Sequence, residues 1–105
     1  MKTVKVVSLT KKDILNYLDI HRVDLRDRFG VVKIGLFGSF SRDEQRIDSD
    51  IDLAIELEKD KKNIRIFFGL KRELEKAFGR KVDLGIESSL KPIAKKFIQD
   101  EIIYV

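Results

Sequence analysis

Three features of the sequence predict an α/β domain, with helices packed on a small β-sheet. Short β-branched runs alternate with longer segments whose apolar residues recur at helical spacing. Glycines stand where the first two helical runs should stop, at Gly30 and Gly79. Two aspartates spaced i, i+2, Asp50 and Asp52, open a run in which Ile51, Leu53, Ile55 and Leu57 alternate onto the opposite face.

Residues 4–9 form a short apolar lead-in without a clear periodicity. Thr10 is a natural N-cap, with Asp13 three residues on. Ile14, Leu15, Leu18, Leu25 and Phe29 lay one stripe along a helix expected over residues 11–28. Val31-Val32-Lys33-Ile34-Gly35-Leu36-Phe37 is short and β-branched, hence a strand. A polar connection follows from Gly38-Ser39 to Asp50, in which Ser41 to Gln45 suit a helical turn. Residues 50–57 read as the second strand.

Asp60-Lys61-Lys62-Asn63 turns the chain into a second helix over 62–78. Its expected buried stripe is Ile64, Phe67, Phe68, Leu74 and Phe78. Lys81 to Ile86 is a third strand, with Val82, Leu84 and Ile86 on one face and Asp83 on the other. Leu90-Lys91-Pro92 starts a third helix, since proline is tolerated in a first turn, with Ala94, Phe97 and Ile98 on its apolar side. Ile102-Ile103-Tyr104-Val105 closes the chain as a short strand or packed tail.

The chain has 105 residues, 43% hydrophobic and 38% charged, which suits one compact domain over residues 1–105 with a heavily charged exterior. No apolar run approaches the roughly 20 residues of a membrane span, and the N-terminus lacks the apolar core of a signal peptide. The cytoplasm is therefore the expected compartment, and no membrane partner is expected. There is no cysteine, which excludes disulfides and thiol nucleophiles. Net charge is +4, concentrated in residues 59–81, where nine Lys/Arg face three Asp/Glu. That segment reads as a solvated helix face. Nucleic acid is not expected as a direct ligand, because no exposed aromatics interleave those basic residues.

The chemistry gathers at three carboxylates. Asp50 and Asp52 repel each other unless a cation, a proton or a basic partner lies between them. A hard divalent cation such as Mg²⁺ is the simplest occupant, and it commonly recruits phosphate oxygens. Asp83 joins them if its strand lies beside the second one. Metal ions held by such carboxylates can align an attacking oxygen and a leaving pyrophosphate. Gly38 lets phosphate approach the backbone, and Ser39 offers a hydroxyl and free N–H groups. Arg42 is suited either to phosphate or to a bridge with Asp43 or Glu44. His21 has no His or Cys companion and reads as a surface residue.

Taken together, Gly38-Ser39, Arg42, Asp50-x-Asp52 and the later Asp83 resemble the signature of the DNA polymerase β-type nucleotidyltransferase superfamily. More narrowly, nearly the whole chain is similar to the minimal nucleotidyltransferase (MNT) domain proteins, the antitoxin halves of HEPN/MNT toxin–antitoxin pairs. The resemblance implies a mixed sheet flanked by helices, with ATP and Mg²⁺ as cofactors. It implies transfer of AMP to a hydroxyl, a tyrosine, of a partner HEPN ribonuclease toxin. Asp50 and Asp52 would then bind metal, Asp83 would complete the triad and activate the incoming hydroxyl, and Gly38 and Ser39 would hold the triphosphate. Family members often carry glycine after the motif arginine, where this chain has Asp43. The larger members add a domain that contacts the base; a partner chain can take that place, and an oligomer is compatible with the family. The alternative is an antitoxin that neutralises its partner by occlusion, without catalysis.

Overall fold

The structure is a computed structural model and describes residues 8–105. The lead-in expected over residues 4–9 therefore lies mostly outside the described residues. Elements follow in the order α1 (Lys11–Ile20), α2 (Arg22–Phe29), β1 (Val31–Phe37), β2 (Ile51–Leu57), α3 (Ile64–Phe78), β3 (Val82–Ile86), α4 (Pro92–Ile98) and β4 (Ile103–Tyr104). Short 3₁₀ turns at Lys59–Lys61 and Glu87–Ser89 precede α3 and α4. The sheet order is β3-β2-β1-β4. It is mixed: β1 runs antiparallel to β2 and β4, and β2 runs parallel to β3 through the α3 crossover.

The expected α/β architecture is the one observed, with its terminators in place. Thr10 and Asp13 form a reciprocal capping box, the Asp13 N–H donating to Thr10 Oγ1 at 3.1 Å and the Thr10 N–H to Asp13 Oδ2 at 3.0 Å. Gly30 and Gly79 close α2 and α3 in left-handed backbone. One face of the sheet packs on α1, α2 and α3 through Ile14, Leu18, Leu25, Leu36, Ile51, Leu53, Ile55, Leu70 and Leu74, all buried. The opposite face carries a row of small residues, Gly35, Ala54 and Gly85, in register across three strands. A side chain on Gly35 would come within 2.7 Å of Ile102 Cγ1, so this row is what lets the C-terminal segment lie flat on the sheet.

Five expectations need correction. The helix expected over 11–28 is two helices, because His21 leaves helical geometry (φ −95°, ψ 8°). No core residue lies between Leu18 and Leu25, Ile20 and Val23 being exposed, so packing does not hold that stretch straight. His21 is half-buried and tilted against the Tyr17 ring, with centroids 4.0 Å apart, instead of standing free on the surface. On α3, Leu70 and Leu74 take the seat against the core. Ile64 and Phe68, one turn apart, fall on the flank and are 77% and 45% exposed. On α4, Ala94 and Ile98 are half-buried, while Phe97 is 77% exposed because a two-turn helix offers only one narrow contact line. The turn expected over 41–45 sits earlier, at residues 39–43. The basic segment 59–81 is, as expected, largely solvated, with Lys62 paired to Glu56 and Lys71 to Glu75.

Candidate active site

Strand register brings the candidate residues together. Phe37, Asp52 and Asp83 form one row across β1, β2 and β3, two positions from the row of small residues and on the same face. Asp52 and Asp83 are direct partners in the parallel pair, as their alternation with buried Ile51, Leu53, Val82 and Leu84 requires. Asp50 lies one residue before β2, exposed, and close enough for its charge to reach Asp52. Asp52 is half-buried. Burial, then the neighbouring charges of Asp83, Asp50 and Glu101, push its carboxyl up to about 6 from the ordinary 3.8, against a smaller downward pull from Arg42.

The turn after β1 closes over this carboxyl. Gly38 has φ 78°, a left-handed conformation that glycine adopts without penalty. A Cβ there would collide with Asp52 Oδ2 and lie 2.8 Å from Asp52 Cγ, so the backbone rests directly on the carboxylate. The N–H groups of Ser41, Arg42 and Asp43 donate in succession to the carbonyls of Gly38, Ser39 and Phe40. Glu44 N–H returns to Ser39 O at 2.9 Å. Among the described residues, the N–H groups of Ser39 and Phe40 and the Ser39 hydroxyl donate to no protein acceptor. Those of Ser39 are available to an anion, whereas Phe40 is fully buried.

Asp43 has φ 56° and is the non-glycine residue with positive φ among the described residues. The position following Arg42 thus takes left-handed backbone, carried here by an aspartate. Asp43 is further held by Lys11 at 3.0 Å.

Arg42 is braced by two carboxylates. Its Nε donates to Glu44 Oε1 at 2.9 Å and its Nη1 to Glu101 Oε1 at 2.8 Å. Of the bridges foreseen for it, that to Glu44 is present. Nη2 has no partner among the described residues. Glu101 also accepts from the Gly38 N–H at 2.7 Å through Oε2.

Sequence reasoning missed two residues here. Glu101 stands in an unremarkable acidic pair before β4, and only the fold brings it to Gly38. Arg80, just after α3, donates through Nη1 to the carbonyls of Ile47 (2.8 Å) and Ser49 (3.0 Å), and its guanidinium lies over the buried Phe40 ring at 5.4 Å. It thereby ties the loop leading into Asp50 to the turn at Ser39. A lone arginine after a helix-ending glycine gives no signal of this.

The donor set fits a hard divalent cation, since every candidate ligand is a carboxylate oxygen. Among the described residues, no three acidic, His or Cys side chains are drawn close enough to hold an ion unaided. A groove of about 460 Å³ between Arg22, Arg26, Val32 and Lys33 lies at the opposite end of β1 and contains none of the candidate residues. The clustered carboxylates and the free Ser39 donors are at the Asp52 row.

Comparison with known proteins gives the following matches. Residues 18–105 match the family described as nucleotidyltransferase domain. Over 97 residues the chain is 40% identical to the protein adenylyltransferase MntA of Thermococcus cleftensis, covering 92% of this chain and 97% of that one. A solved chain given provisionally as a minimal nucleotidyltransferase superposes with a TM-score of 0.78 at 28% identity, over 93% of this chain and 98% of that one. A toxin–antitoxin structure with AMP-PNP matches with a TM-score of 0.68 at 26% identity, over 91% of this chain and 72% of that one. A structure of the tri-AMPylated HEPN toxin of Shewanella oneidensis with an MNT antitoxin matches with a TM-score of 0.61 at 26% identity, over 87% and 69%.

Proposed function

The chain belongs to the nucleotidyltransferase domain family, and we propose that it moves AMP from ATP onto a hydroxyl, that of a tyrosine, of a HEPN-domain toxin, acting as the antitoxin of that pair. The observation that carries this reading is the register of β2 and β3, which sets Asp52 beside Asp83 under the Gly38 turn. It is further supported by relatives and structural neighbours described as a protein adenylyltransferase, as a toxin–antitoxin with AMP-PNP, and as an AMPylated toxin with its antitoxin. Residues 1–105 act as one minimal domain in this account, and its compartment is the cytoplasm. No described helix is long and apolar enough to cross a membrane.

Asp50, Asp52 and Asp83 would hold Mg²⁺, with phosphate oxygens and water completing the shell, as that ion prefers. Bound there, Mg²⁺ would offset charge on the transferring phosphoryl group and the leaving pyrophosphate in a two-metal arrangement. The chain supplies the rest. The free N–H group and the hydroxyl of Ser39 donate to triphosphate oxygens. Gly38 keeps the backbone close enough for them to do so. Arg42, held through Nε and Nη1, offers Nη2 to the phosphates. Asp83 takes the proton of the incoming hydroxyl as its oxygen bonds to the α-phosphorus and the bond to pyrophosphate breaks.

The alternative, neutralisation by occlusion, draws on the exposed apolar side chains of Ile64, Phe68 and Phe97, which would suit a protein contact. Calorimetry with ATP tests the metal assignment. Binding should require Mg²⁺ or Mn²⁺; equal affinity in EDTA would remove the three aspartates from the ligand set.

A further inference from the structure

We infer that Glu101 is a positioning residue for the nucleotide site: one carboxylate that fixes both the Gly38 backbone and the Arg42 guanidinium, and through them the turn that meets the triphosphate. The inference rests on the nucleotide-binding role proposed above and adds to it a residue sixty positions away from the motif.

The geometry is that of a strand pairing completed by a side chain. Leu36 pairs with Ile103 in the antiparallel β1–β4 ladder, so Gly38 falls opposite Glu101 when the register is continued by two residues. The backbone has left the ladder there, since β1 ends at Phe37 and Gly38 turns at φ 78°. Glu101 Oε2 accepts the Gly38 N–H at 2.7 Å in place of the missing partner carbonyl. Its other oxygen takes Arg42 Nη1 at 2.8 Å, while Glu44 takes Nε at 2.9 Å. Two charge-assisted bonds at different nitrogens fix a planar guanidinium in orientation, leaving Nη2 as its remaining donor among the described residues. The Glu101 side chain is 22% exposed, so both bonds are partly sheltered from water.

A consequence follows for the anion site. The Gly38 N–H is already satisfied, so the donors left for phosphate are those of Ser39 and Arg42 Nη2. Glu101 also adds a fourth carboxylate near Asp52, with Arg42 as the cation that offsets it. Removing Glu101 alone would therefore free Arg42 to turn and release the turn at Gly38.

A double-mutant cycle on Mg·ATP affinity tests this. Wild type, Glu101→Ala, Arg42→Ala and the double variant would be titrated by calorimetry. Each single change should weaken binding about tenfold, the loss expected for one charge-assisted contact. The double variant should be weaker than either single one but fall clearly short of the product of their losses, because Glu101 acts partly through Arg42 and partly through Gly38. Multiplying losses of about a hundredfold would overturn the inference. So would tighter binding by Glu101→Ala, which would make Glu101 a competitor of phosphate for the turn. A second readout stands apart from nucleotide binding. In Glu101→Ala the NMR amide signal of Gly38 and the Arg42 Nη–H signals should both shift, with faster exchange of the Gly38 amide. If wild type bound no nucleotide, the functional reading would fail, and unshifted Gly38 and Arg42 signals would separately refute the clamp.

Discussion

Asp52→Asn should make this protein more stable above neutral pH, and by an amount that depends on pH. The Asp52 carboxyl sits at about 6 in the fold against 3.8 ordinarily, first because it is buried and then because Asp83, Asp50 and Glu101 are near. Below about pH 4 it is protonated in both the folded and unfolded chain and contributes nothing. Between about pH 4 and 6 the unfolded chain releases the proton while the folded one retains it, so stability falls as pH rises. Above that window the whole penalty is present. At about 1.36 kcal/mol per pH unit the penalty would be about 3 kcal/mol. Asp52 is half open to water, whose screening reduces this to roughly 1–1.5 kcal/mol. Asparagine keeps the shape and removes the charge, which corresponds to a melting temperature higher by about 5–10 °C in a domain of this size. The assay is thermal unfolding of wild type and Asp52→Asn, without divalent cations, from about pH 4 to 8. Glu56, Glu73, Glu75 and Glu87 are shifted downward by their own hydrogen bonds, so only the difference between the two proteins isolates Asp52. An advantage that is absent at about pH 7.5, or equal at about pH 4 and 7.5, would refute the electrostatic reasoning.

Other substitutions test the turn. Gly38→Ala forces a side chain into left-handed backbone, at about 1–2 kcal/mol, and against Asp52; melting should fall and ATP affinity should drop, and unchanged ATP affinity would show that the turn is not a phosphate seat. Asp43→Gly should be more stable than Asp43→Ala by about 1 kcal/mol, because both lose the Lys11 bridge and only alanine retains the left-handed strain; equal unfolding midpoints in denaturant would contradict the backbone assignment. Thr10→Ala removes half of the capping box and should lower stability by about 1 kcal/mol without altering ATP affinity; calorimetry showing weaker ATP binding would link α1 to the site.

Much of this fold was legible because local signals agree with the tertiary outcome. Thr10 with Asp13, Gly30 and Gly79 mark helix ends through backbone chemistry that no packing overrides. Alternation in 50–57 and 81–86 placed Asp52 and Asp83 on one face before any pairing was known. Their adjacency needed one further fact, that β2 and β3 are parallel neighbours, which only the structure shows. What stayed hidden depended on contacts distant in sequence. Phe68 and Phe97 satisfy helical spacing as well as any core residue, and only the positions of the sheet and the narrow α4 contact leave them outside. His21 lies in a polar stretch whose periodicity does not report a bend. Glu101 and Arg80 are charged residues in charged surroundings, and their significance comes from the Gly38 N–H and the carbonyls of Ile47 and Ser49.

The central claim is catalytic transfer, and one experiment addresses it most directly. The HEPN-domain partner would be incubated with ATP labelled in its α-phosphate, Mg²⁺ and either wild type or Asp52→Asn; the antitoxin would then be stripped away, and the partner assayed for label and ribonuclease activity. Wild type should leave label on a tyrosine and a partner that stays inactive after separation. Asp52→Asn, which keeps the fold, should transfer at least about a hundredfold more slowly, since metal stabilisation of the phosphoryl group is worth several kcal/mol. An unlabelled partner that recovers full activity once wild type is removed would contradict the account and leave occlusion as the mechanism.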